Sequence, residues 1–70
     1  MTTLKNGSIL LLETLTPVDG SSIVLAKTET AFATWRKAGD GNTYHGHYFQ
    51  QTVEGLTEAI DDFRTRVLEG

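Results

Sequence analysis

The chain has seventy residues, no cysteine, nine acidic against six basic side chains and a formal charge of −3. It reads as one small domain without disulfides or thiolate metal centres. A core this size rarely supplies more than about 3–5 kcal/mol, so regular packing, self-association or an imidazole–carboxylate metal site has to add to it. The acidic balance speaks against phosphate-backbone binding as the main activity, because such binders present a basic face.

No basic-then-apolar leader opens the chain, and the longest purely apolar run, Ile9 to Leu12, is far too short to span a bilayer. Lack of cysteine fits a reducing compartment. A cytoplasmic protein is therefore expected.

In chain order, Met1 to Asn6 is polar and expected to be frayed at the edge of a single domain spanning residues 1–70. Ser8 to Leu15 is an apolar run without helical spacing, bounded by Gly7 and by Pro17 with Asp19-Gly20. It suits a strand buried on both sides, or a central strand, better than a helix. Thr16 to Ser22 follows as a loop, with Asp-Gly ready to supply a positive φ.

Ile23 to Ala26 begins a second strand of β-branched and aliphatic residues; a helix capped by Ser22 is the alternative. Lys27-Thr28-Glu29 is a polar break, and Thr30 to Lys37 resumes as a third strand with Phe32, Thr34 and Trp35. The sequence leaves open whether 23–37 is one long bent strand or two. Gly39-Asp40-Gly41-Asn42 is a strong reversal signal, after which Tyr44 to Gln50 returns as the fourth strand.

Val53, Leu56, Ile60, Phe63 and Val67 recur at steps of three and four, forming the apolar stripe of a C-terminal helix. Thr52 is its expected N-cap, although Gly55 could delay regular helix until Leu56. Acidic residues (Glu54, Glu58, Asp61, Asp62) precede basic ones (Arg64, Arg66), an order that complements the helix dipole. Asp62 and Arg66 have the spacing of an i,i+4 pair on a solvated face. Gly70 stands where a C-terminal stop is expected.

A two- or four-residue loop at Gly39–Asn42 would set Lys37 opposite Tyr44, Trp35 opposite Gly46 and Ala33 opposite Tyr48, all on one face. The other face would carry Phe32 with Phe49, Thr34 with His47, and Arg36 with His45. A bulge or an odd-length loop would mix the two sets. In this register Trp35 lies over Gly46, an aromatic rescue of a strand glycine, flanked by Tyr44 and Tyr48. The aromatic face offers the helix more apolar area, so the preferred reading buries it there and leaves Arg36, His45, His47 and Thr34 exposed.

Chemistry-bearing constellations are few. His45-x-His47 on one strand could direct two imidazoles at one ion, making both weak metal candidates that still need a third ligand; half-exposed structural histidines are the preferred explanation. Arg36 beside His45 would make a small cationic spot for an anion or a partner's carboxylate, against an ordinary polar sheet face. Trp35, Tyr44 and Tyr48, with Lys37 nearby, could stack single-stranded nucleic acid, but the chain lacks the second helix and basic motif of RNA-recognition sheets. Ser8, Ser21 and Ser22 stand in no nucleophile elbow. Gly39-x-Gly41 is too short for a phosphate loop and opens no helix.

The expectation is an α+β fold: a mostly antiparallel sheet of three or four strands, with the amphipathic helix on one face. Its expected function is that of a small non-enzymatic interaction or regulatory module without a cofactor, acting as a homodimer or with a protein partner, since one helix covers one side of the sheet. A metal or anion site around Arg36, His45, His47 and Thr34 is the alternative; single-strand nucleic-acid binding comes third and is disfavoured.

Overall fold

The computed structural model describes residues 2–16 and 20–69. Strands β1 (Ile9–Leu15), β2 (Ser22–Lys27), β3 (Phe32–Lys37) and β4 (Thr43–Phe49) precede helix α1 (Val53–Glu69). Each strand pairs antiparallel with its neighbour in sequence, giving the order β1-β2-β3-β4, and α1 packs on β2, β3 and β4. This is the expected α+β architecture, with four strands. No helix among the described residues is long and apolar enough to cross a membrane.

The central apolar strand is β2, not β1. Ile23, Val24, Leu25 and Ala26 are all buried, with β1 on one side and β3 on the other. The Ser8–Leu15 run, expected to lie inside the sheet, forms its edge instead, because a simple meander leaves the first strand one neighbour. Thr28 to Ala31 is a tight reversal: the Thr28 N–H donates to the Ala31 carbonyl at 2.8 Å, and the Ala31 N–H to Thr28 Oγ1 at 2.9 Å. Residues 23–37 are therefore two strands.

Side-chain alternation divides the sheet into two faces. One carries Val24, Ala26, Ala33 and Trp35, which cluster with Leu4 and the half-buried Leu10. Leu4 arrives from the polar opening segment, which is tied down by a Thr3–Ile9 bridge and by the Leu10 N–H donating to the Thr2 carbonyl at 2.8 Å. The other face carries Ile23, Leu25, Phe32 and Thr34, and α1 lies over it.

The expectation that α1 covers the aromatic face is thus overturned. Trp35 is only 6% exposed, but the N-terminal segment and its sheet neighbours seal it. The helix lies on the other side, with its small residues Gly55 and Ala59 buried. Its Asp62 and Arg66 satisfy Thr34 there.

The β3–β4 register combines two irregularities that cancel. Ala38 and Asn42 close a three-residue loop, with the Ala38 N–H donating to the Asn42 carbonyl and Gly41 at φ +90°. That odd length sets Lys37 opposite Thr43 and Arg36 opposite Tyr44, one residue off the expected pairing. A bulge then places His45 and Gly46 together against Trp35, and His45 takes φ +57°. Beyond it Thr34–His47, Ala33–Tyr48 and Phe32–Phe49 pair as expected.

Gly46 lies beneath the indole as anticipated: a Cβ there would stand 2.5 Å from Trp35 Nε1 and 2.7 Å from Tyr48 Oη. Trp35 and Tyr48 meet edge to face at 6.0 Å.

Thr52 caps α1 as expected, accepting the Gly55 N–H on Oγ1 at 2.9 Å. Gly55 does not delay the helix. Its missing side chain permits the entry turn, since a Cβ would fall 1.8 Å from the Gln50 carbonyl oxygen. The expected turn residues Pro17 and Asp19, and the stop at Gly70, lie outside the described residues.

Candidate functional site

Arg36, His45 and His47 do share one pocket, of about 420 Å³, but its wall is the helix. Asp62, Thr65, Arg66 and Glu69 complete the lining. Thr34, expected to be exposed, is fully buried beneath it, because α1 occupies the face thought to be open. The apolar stripe located the helix without telling which face of the sheet would receive it.

A polar clamp ties α1 to β3 and β4. Thr34 Oγ1 donates to Asp62 Oδ2 at 2.5 Å, and His47 Nδ1 lies 3.0 Å from the same oxygen and 3.1 Å from Oδ1. Arg66 Nη1 donates to both the carbonyl and Oγ1 of Thr34 at 3.0 Å, and Nη2 to the His45 carbonyl at 2.6 Å. The Asp62–Arg66 pair expected on a solvated face is replaced by these bonds to the sheet. One turn apart, the two residues serve a buried hydroxyl and a carbonyl of the bulge.

The geometry limits the chemistry. Arg66 is spent on structure, and Arg36 donates Nη1 to Ser21 Oγ at 3.0 Å. With histidines neutral, the two arginines of the lining are balanced by Asp62 and Glu69. Among the described residues no group of three His, Cys, Asp or Glu side chains could hold a metal ion. The bulge interrupts the regular alternation that would aim His45 and His47 alike.

Of the three aromatics considered as a stacking platform, only Trp35 and Tyr48 meet. Trp35 is buried, Tyr48 projects on its face, and Tyr44, opposite Arg36, belongs to the helix side.

The largest apolar exposure is at the other edge. Leu11, Leu12 and Leu15 of β1 are 43%, 46% and 75% exposed, and Leu68 near the end of α1 is 86% exposed. Between β1 and α1 runs a groove of about 230 Å³ lined by Thr14, Phe63, Arg64, Val67 and Leu68. Beside it, on the opposite face, Glu13 accepts from Lys37 Nζ at 2.5 Å and from Ser22 Oγ at 2.7 Å, and these contacts hold its carboxyl below the usual range.

The leucine-rich run was visible in the sequence, but reading it as a central strand concealed its availability. Compared with protein-family models, curated proteins and solved structures, the chain finds no match.

Proposed function

We propose that the protein is a small non-enzymatic interaction module whose working surface is the outer edge of β1 with the adjoining groove. The observation that carries this reading is the concentration of exposed Leu11, Leu12, Leu15 and Leu68 along one strand edge and one helix end. Scattered single leucines are ordinary on a surface; several exposed leucines gathered along one strand with unpaired outer backbone are characteristic of association.

The test is an apolar fluorescent dye at submicromolar protein, comparing the natural chain with a Leu12→Lys/Leu15→Lys variant. Enhanced emission that the variant loses is the expected result. Equally weak emission from both would remove β1 as a working surface.

The second reading places a small anion at the mouth of the Arg36, His45 and His47 pocket. It is favoured by the convergence of these residues and by the guanidinium nitrogens of Arg36 beyond its bond to Ser21. Phosphate titration followed through the two histidine ring signals tests it. Shifts confined to His45 and His47 support the site, and none at millimolar phosphate dismisses it.

A further inference from the structure

We infer that the occupant of the β1 edge is a second copy of this chain, paired antiparallel through Leu11–Leu15 about a two-fold axis at Glu13, giving a closed dimer with a continuous eight-stranded sheet. This rests on the reading of β1 as the working surface and adds the partner and its geometry.

The first argument is the inequality of the two sheet edges. On β4 a bulge, the positive φ of His45 and the Arg66 bond to the His45 carbonyl disrupt the regular template. On β1 the opening segment covers Ile9 and Leu10 and a bulge falls at Leu11, but from Leu12 to Leu15 the strand pairs regularly with β2 and no described residue pairs with its outer side. A chain with one receptive edge cannot grow head to tail; the receptive edge must meet its own copy, and association stops at two. The free stretch contains no lysine, arginine or proline of the kind that blunts exposed strands.

The second argument is charge. Glu13 is the only ionisable residue in the stretch and would face its own copy at the axis, where bare carboxylates would repel. Each carboxylate is already met by Lys37 and Ser22 of its own chain. The seam is then a row of lysine, glutamate, glutamate and lysine, with the like charges compensated before the copies meet.

The third argument is packing. In this register Leu12 lies opposite Thr14 of the other copy, with the bulged Leu11 beside Leu15. Leu12 and Thr14 face the α1 side, so the seam extends the groove beside Phe63 and Val67 towards its mate. The strip is short against the roughly 800 Å² per partner of a standard interface, which places the dimer among weak complexes.

Sedimentation equilibrium of the natural chain is expected to give a dimer with a dissociation constant of about 10–100 µM. Leu12→Lys should weaken it at least about tenfold, with unchanged circular dichroism showing that the fold survives. Lys37→Gln, which touches no apolar contact at the seam, should also weaken it by exposing the paired carboxylates.

Because the chain has no cysteine, an introduced one reports on its own copy. Mild oxidation should link Glu13→Cys chains readily and Tyr48→Cys chains, on the other edge, poorly. A natural chain monomeric to about 500 µM overturns the dimer, as does association indifferent to Leu12→Lys, or equal linking at both cysteines. Monomer together with the dye response described above assigns the edge to a foreign partner, so only the self-pairing falls. Monomer without that response removes the surface as well.

Discussion

The two edges of this sheet meet the same hazard in opposite ways. Both β1 and β4 end the hydrogen-bonded ladder, and both could template a foreign strand. In β4 the sequence Tyr44-His45-Gly46-His47-Tyr48 is polar and bulged, and α1 reaches down through Arg66 to take the carbonyl of the displaced residue. In β1 the first two residues are covered by the opening segment and a bulge falls at Leu11, while Leu12 to Leu15 remain regular, unpaired on the outer side and leucine-rich. Closure of one edge with exposure of the other gives a direction to any association, which equal edges would not.

The sharpest way to break the contrast is Gly46→Ala. A Cβ 2.5 Å from Trp35 Nε1 would displace the indole that seals the far face, costing about 3 kcal/mol by urea unfolding. A smaller loss would mean that the bulge, rather than the indole, sets the position of β4.

Next is Arg66→Ala, which removes three hydrogen bonds and leaves Thr34 and the His45 carbonyl incompletely partnered. About 2 kcal/mol should be lost, and hydrogen exchange should accelerate around the bulge, making β4 resemble β1. Unchanged exchange there would show that backbone geometry alone closes the edge.

His45→Gly relieves a left-handed conformation while adding freedom to the unfolded chain. A net gain of about 0.5–1 kcal/mol in thermal unfolding is expected. A loss would point to an imidazole contact outweighing the backbone term.

The smallest effect is on the β1 side. The Glu13 carboxyl titrates below its ordinary value, 4.5, because Lys37 and then Ser22 favour the ionised form. A depressed folded value contributes stability that is present above the unfolded value and lost as pH falls through the folded one. The contribution is under about 1 kcal/mol for so exposed a pair. It should fade as pH falls from 4.5 through the lower folded value in the natural chain and be reduced, with the Ser22 bond remaining, in Lys37→Gln, read as the difference between their pH–stability curves.

Much of the fold could be read along the chain, because the decisive signals were local. The stripe from Val53 to Val67 and the Thr52 cap announced α1, Gly39–Asn42 announced the reversal, and Gly46 announced the indole above it. The candidate site was half legible: Arg36, His45 and His47 do meet, but Asp62 and Arg66 were assigned to solvent. Helical spacing tells which residues share a face of α1, not which face of the sheet receives it.

Sequence by itself determined the elements, their mostly antiparallel pairing and the absence of disulfide chemistry, since these depend on side-chain type and short-range spacing. Tertiary structure alone decided that β1 lies outside and β2 inside, that Leu4 rather than the helix seals Trp35, and that α1 settles over Thr34. Those outcomes turn on competition among distant surfaces for the same cover, in which Asp62 and Arg66 hold the helix over Thr34 and the opening segment holds the other side.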